Sequence, residues 1–110
     1  MKIPERLKIG GHWYEVKYPY HFLERDGIVG QQDWHLKEIR IGDTDGCGNQ
    51  AAESRIAVTL IHEILHACDY ITGHRMFEEK EGENKLEGLS EVLFQVLRDN
   101  DLNFRVNDED

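Results

Sequence analysis

The octapeptide HEILHACD at residues 62–69 sets two imidazoles four positions apart, with a carboxylate directly after the first. On a helix, positions four apart lie one turn above the other on the same face, so His62 and His66 can both give a ring nitrogen to one divalent ion. Glu63 then falls where a carboxylate can reach a metal-bound water without filling a coordination position. That is the chemistry of hydrolysis. The plainer alternative is two exposed histidines on an amphipathic helix, and a third ligand is what separates the two readings.

Several residues could supply that ligand. Asp69 follows His66 by three and shares its face, so it can ligate or can hydrogen-bond a histidine ring from behind. His74 follows His66 by eight, but the three-histidine extension of the motif requires Gly where Asp69 stands and His where Thr72 stands, so it fails. Cys47 lies in the preceding loop, and Cys68 points about 120° away from His62 at the helical 100° per residue. In the last helical segment Leu86, Leu89, Leu93, Val96 and Leu97 form an apolar stripe. Glu83 projects at the edge of that stripe, whereas Glu87 and Glu91 rotate progressively toward solvent. Glu83 is favoured, with Asp69 and Glu87 as alternatives; the plainer role for Glu83 is to complement the helix dipole in a first turn.

Positioning these groups requires elements that the hydrophobic pattern outlines. Residues 53–71 read as a helix stopped by Gly73, with Ile56, Leu60, Ile64, Ala67 and Ile71 clustered opposite His62 as the core stripe. Val58 and Leu65 flank the histidine side, which predicts a helix covered on one side and lining a cleft on the other. The charged link FEEKEGENK leads to a last helix over residues 83–98. Before residue 50 the period is two: residues 7–9 and 12–18 around Gly10-Gly11 predict a hairpin that Pro19 ends. Residues 20–27 are expected to form a connecting turn of helix, residues 28–34 and 37–41 a second strand pair, residues 42–49 a loop, and the acidic tail RVNDED a frayed end. The expected fold is α+β: a small antiparallel N-terminal sheet, then the motif helix, then a C-terminal helix. One domain over residues 1–110 is expected, with a β-rich half to residue 50 and a helical half carrying the metal site.

Composition restricts the function further. Thirteen Lys and Arg against 22 Asp and Glu leave a net charge of −9, which repels nucleic acid and anionic lipid. The N-terminal stretch holds no apolar run of signal-peptide length and no segment approaches spanning length, so a soluble, cytoplasmic chain without membrane partners is expected. Two cysteines are too few for a disulfide framework, and Cys47 and Cys68 are read as free thiols. Trp13 and Trp34 are read as sheet packing.

HEILHACDYITG followed by ENKLEGLSEVL resembles the minimal gluzincin arrangement of the ImmA/IrrE-like metallopeptidase family, which includes small phage and mobile-element members. In that family H-E-x-x-H is followed by a helix carrying E-x-x-A-x-x-F-A, and Glu83, Leu86, Leu89 and Ser90 occupy the matching positions, with Leu replacing Ala and Phe. The similarity covers residues 56–97; the first half matches only as a small sheet whose last strand, residues 37–41, is expected to border the cleft. The resemblance implies a zinc peptidase acting on protein or peptide, often a regulatory protein. The implied site has Zn2+ on His62, His66 and Glu83, an open fourth position for water, and Glu63 as the general base. Tyr70 and His74, just past the motif, are the nearest candidates to steady an oxyanion. Two other readings stand beside it. A structural zinc site would need a fourth protein ligand from Cys47, Asp69 or His74, and a catalytically silent metal-binding or protein-interaction module would keep the fold without turnover. A DNA-binding role is disfavoured by the charge and by the lack of a basic recognition helix.

Overall fold

The computed structural model describes residues 1–23, 27–102 and 104–105. Four strands, β1 (Arg6–Ile9), β2 (His12–Lys17), β3 (Gly30–Asp33) and β4 (Glu38–Ile41), precede two 20-residue helices, α1 (Glu53–Thr72) and α2 (Lys80–Asp99). The class is the expected α+β, but the sheet is mixed rather than antiparallel. Its order is β1-β2-β4-β3: the two predicted hairpin-like pairs form as antiparallel ladders, and β4 joins them by running parallel to β2.

Side-chain chemistry explains that order. Ile39 and Ile41 alternate onto one face of β4 and are fully buried, which suits a strand paired on both sides. The polar β3, sequence GQQD, takes the edge instead. It is therefore β3, and not residues 37–41 as expected, that borders the cleft. On the outer face the Arg40 guanidinium ties the two strands together, donating to Glu38 at 2.7 Å, Asp33 at 3.2 Å and Gln31 at 2.8 Å. Trp13 also lies on this outer face, half exposed beneath the Arg6 guanidinium at 3.9 Å, so it is less packed than the sequence suggests.

The inner face, Ile9, Tyr14, Ile39 and Ile41, closes on Ile56 and Ala67 of α1, with Leu60, Ile64 and Ile71 packed around them. These are the stripe residues expected for α1, and burying each large one stabilises the fold by about 1.5–3 kcal/mol. Gly73 adopts the left-handed conformation (φ 77°) and ends α1 with its N–H on the Tyr70 carbonyl.

α2 begins three residues earlier than its apolar pattern indicates, because Glu79 already supplies an extended N-terminal residue and Glu81 and Glu83 fill the first turn, where acids complement the dipole. Among the described elements α2 touches only α1. One neighbour can cover only one face, so Leu86 and Ser90 are fully buried while Leu89 and Leu97 of the expected stripe stay exposed. The expected helical turn at residues 20–27 falls partly on 24–26, and the expected frayed tail largely on 106–110, outside the described residues; 20–23 are not helical. Both cysteines are free thiols, and no helix among the described residues is long and apolar enough to cross a membrane.

Candidate metal centre

α2 packs on the side of α1 that bears the histidines, with Leu86 and Ser90 fully buried. His62 is thereby buried, though under α2 and not in the sheet-facing core. α2 runs antiparallel to α1: Glu91 pairs with Arg55 near the start of α1, and Glu83 reaches the histidines nearer its end. The Glu83 carboxylate lies between the two rings, with Oε1 at 2.6 Å from His62 Nε2 and Oε2 at 2.7 Å from His66 Nε2. The ring centroids are 4.8 Å apart.

These three groups could hold a metal ion. Two imidazole nitrogens and a carboxylate oxygen lie within 4.8 Å of one another, and they are nitrogen and oxygen donors of the kind that bind borderline divalent ions. Their contacts are now hydrogen bonds, shorter than the roughly 3.3 Å between neighbouring ligands of one tetrahedral ion. Taking up an ion would exchange those hydrogen bonds for coordinate bonds. Glu87 adds to the fit: its Oε1 lies 3.4 Å from His62 Nδ1. A carboxylate on the far nitrogen is what ordinarily orients a metal-binding imidazole and fixes its tautomer.

The other candidates are placed elsewhere. Asp69 is buried, but it turns to the loop joining the helices, where its two oxygens accept the N–H groups of Met76 (2.9 Å) and Phe77 (3.0 Å). Cys47 is exposed in its loop, and neither Cys47, Cys68 nor His74 joins the three-residue cluster. Tyr70 packs on Trp34, with centroids 4.9 Å apart, beneath the Arg75 guanidinium; His74 is exposed beyond the helix stop.

Asp69 nevertheless governs the site through the backbone. It holds the 76–77 segment, and Gly82 packs so closely there that a Cβ would collide with the Met76 carbonyl oxygen. That joint sets where α2 starts and hence where Glu83 lies. Replacing Asp69 with Ala removes two charge-assisted bonds and is expected to cost about 3 kcal/mol. Thermal unfolding should show a melting temperature lower by roughly 10–20 °C. An unchanged transition would mean that the loop holds itself.

Glu63 is buried beside the cluster. Burial first, then the negative charges of Glu83 and Glu87, push its carboxyl up to about 8. Space for it exists because β3 offers Gly30: a Cβ there would stand 2.5 Å from Thr59 Cγ2 and 2.8 Å from Glu63 Oε2. Sequence reasoning missed Gly30, whose available signal was a glycine inside a strand, a mark of close backbone approach. It also missed Thr59 and Gln32. Gln32 lines the space with Glu63 and His66, and its buried Oε1 has no donor among the described residues. A cleft of about 260 Å³ opens between the approach to β3 and the two helices, walled by Ile28, Val29 and Val58 and floored by His62, Glu63 and Glu83.

The raised acidity constant has a thermodynamic consequence in metal-free protein. Between about pH 4.5 and about 8 the folded state keeps on Glu63 a proton that the unfolded chain has released, so stability is fully present below pH 4.5 and falls as pH rises toward 8. Facing groups are His62 and His66 on α1 and Glu83 and Glu87 on α2. Asp33, Asp45 and Asp99, held low by hydrogen bonds, act in the opposite sense only below about their usual 3.8. Chelator-treated wild type should therefore lose a few kcal/mol across that interval relative to Glu63→Gln, read as the difference between their urea midpoints. Parallel pH profiles for the two proteins would contradict the assignment.

Comparison of the chain with protein-family models, with curated proteins and with solved structures gives no match.

Proposed function

We propose that this chain is a zinc-dependent metallopeptidase that hydrolyses peptide bonds in protein or peptide substrates, with His62, His66 and Glu83 as ligands and Glu63 as general base. One observation carries the reading: the carboxylate of α2 meets both motif histidines while Glu63 stands beside them on the floor of a cleft. When bound, zinc supplies Lewis-acid polarisation of a carbonyl and lowers the pKa of water to about 7. Glu63 accepts the proton of the attacking water and delivers it to the departing amine. Glu87 orients His62, and Asp69 keeps Glu83 in register.

The outer edge of β3 has no strand partner among the described residues, and it lies alongside the cleft. An extended substrate can add there as a further strand, held by main-chain hydrogen bonds, with one apolar side chain directed at Ile28, Val29 and Val58. Such binding reads backbone more than sequence. Hydrolysis of unfolded casein should be stopped by a chelator and restored by zinc. Chelator-resistant hydrolysis, or none by the zinc-loaded protein, would contradict the proposal.

A further inference from the structure

The face of α2 turned away from both α1 and the cleft has a composition that the isolated chain does not use. At 100° per residue, Lys85, Gly88, Leu89, Val96 and Asp99 all project within about 60° of Val92, whereas Leu86, Ser90 and Leu93 point toward α1. Val92 is 61% exposed and Leu89 48%, and Val96 is half-buried. Gly88 is exposed, and a Cβ built on it would meet nothing within 4 Å. A glycine in mid-helix costs about 1 kcal/mol relative to alanine, and no contact among the described residues accounts for it.

The arrangement is palindromic about Val92. Gly88 lies four residues before it and Val96 four after; Lys85 lies seven before and Asp99 seven after. Of the equidistant pairs on this face, Gly88–Val96 matches a gap with a branched side chain and Lys85–Asp99 a cation with an anion, while Leu89–Gln95 sets an apolar side chain against an amide. We infer that this face is a twofold contact in which α2 packs antiparallel on α2 of a second copy of the chain. Val92 meets its own counterpart on the axis, Val96 of each copy enters the space over Gly88 of the other, and Lys85 pairs with Asp99 at both ends. An isologous contact has this self-complementary form. The bonds these ends now make are exposed and intrahelical: Lys85 lies 3.6 Å from Glu81, and Asp99 accepts from Arg98 and Gln95. Such contacts contribute little and do not oppose re-pairing. Glu83 and Glu87 project from the other side of α2, so the contact leaves the cleft open.

Sedimentation velocity of the full chain, from about 5 to about 200 µM, tests the inference. Wild type should pass from monomer to dimer across that range. Val92→Glu, which puts two carboxylates on the axis, should remain monomeric with unchanged circular dichroism and zinc uptake. Lys85→Glu or Asp99→Lys alone should weaken the dimer about tenfold by placing like charges together, and the two combined should restore it. In a Cys47→Ser background, Val92→Cys should cross-link on mild oxidation. A wild type monomeric throughout, as when the segment carrying Leu102 and Phe104 or an unrelated protein covers this face, would overturn the inference. A dimer indifferent to Val92→Glu, or a double variant that fails to recover, would overturn it as well.

Discussion

Glu83→Gln is expected to abolish stoichiometric zinc binding, lowering affinity by at least about 10³-fold, because an amide neither carries the negative charge nor donates to a borderline ion as a carboxylate does. The effect is specific to position. Glu87→Gln removes the partner of His62 Nδ1 but no ligand, and should weaken zinc only about 10–100-fold. Both carboxylates lie on α2 one turn apart, so the ratio of the two losses, read by competition with a chelating dye, ranks them directly. Equal losses, or a larger one for Glu87, would place the third ligand one turn further along α2. The geometry favours Glu83, whose two oxygens each meet a different imidazole while Glu87 approaches only one.

Glu63→Gln separates metal binding from chemistry. The amide keeps the size and shape that fit against Gly30 and Thr59, and it removes a negative charge that burial disfavours, so the fold should be at least as stable as wild type. Zinc should remain at one ion per chain. Hydrolysis of casein should fall by about 10²–10⁴-fold, since an amide cannot accept the proton of the attacking water. Full activity in this variant would remove Glu63 from the mechanism. Loss of zinc together with activity would instead make Glu63 part of the metal shell.

The parts of this molecule most legible in its sequence are those fixed by local periodicity. The α1 stripe, the Gly73 stop, the Gly10-Gly11 hairpin and the pairing of β3 with β4 follow from side-chain alternation and turn chemistry within a few residues. The histidine pair is local too, since helical geometry alone puts His62 and His66 together. What depended on tertiary packing was less visible. β4 lies between β2 and β3 because two buried isoleucines outcompete a polar strand for the central place, a comparison that no single strand contains. The Asp69 carboxylate shares a helix face with the histidines, which made it a plausible ligand, yet two backbone N–H groups at residues 76 and 77 claim it. Leu89 follows the apolar stripe of α2 but has no second helix to cover it. Gly30 and Gly82 matter for an absent Cβ, and absence of bulk can be interpreted only once the neighbouring chain is known.

The most direct test is an anomalous-difference map at the zinc edge from crystals grown with zinc and without chelator. One strong peak is expected, bonded to His62 Nε2, His66 Nε2 and a Glu83 oxygen, with Glu63 close by and unbonded to the ion. A map with no peak between those three side chains, or with the ion held by a different set, would contradict the proposed site.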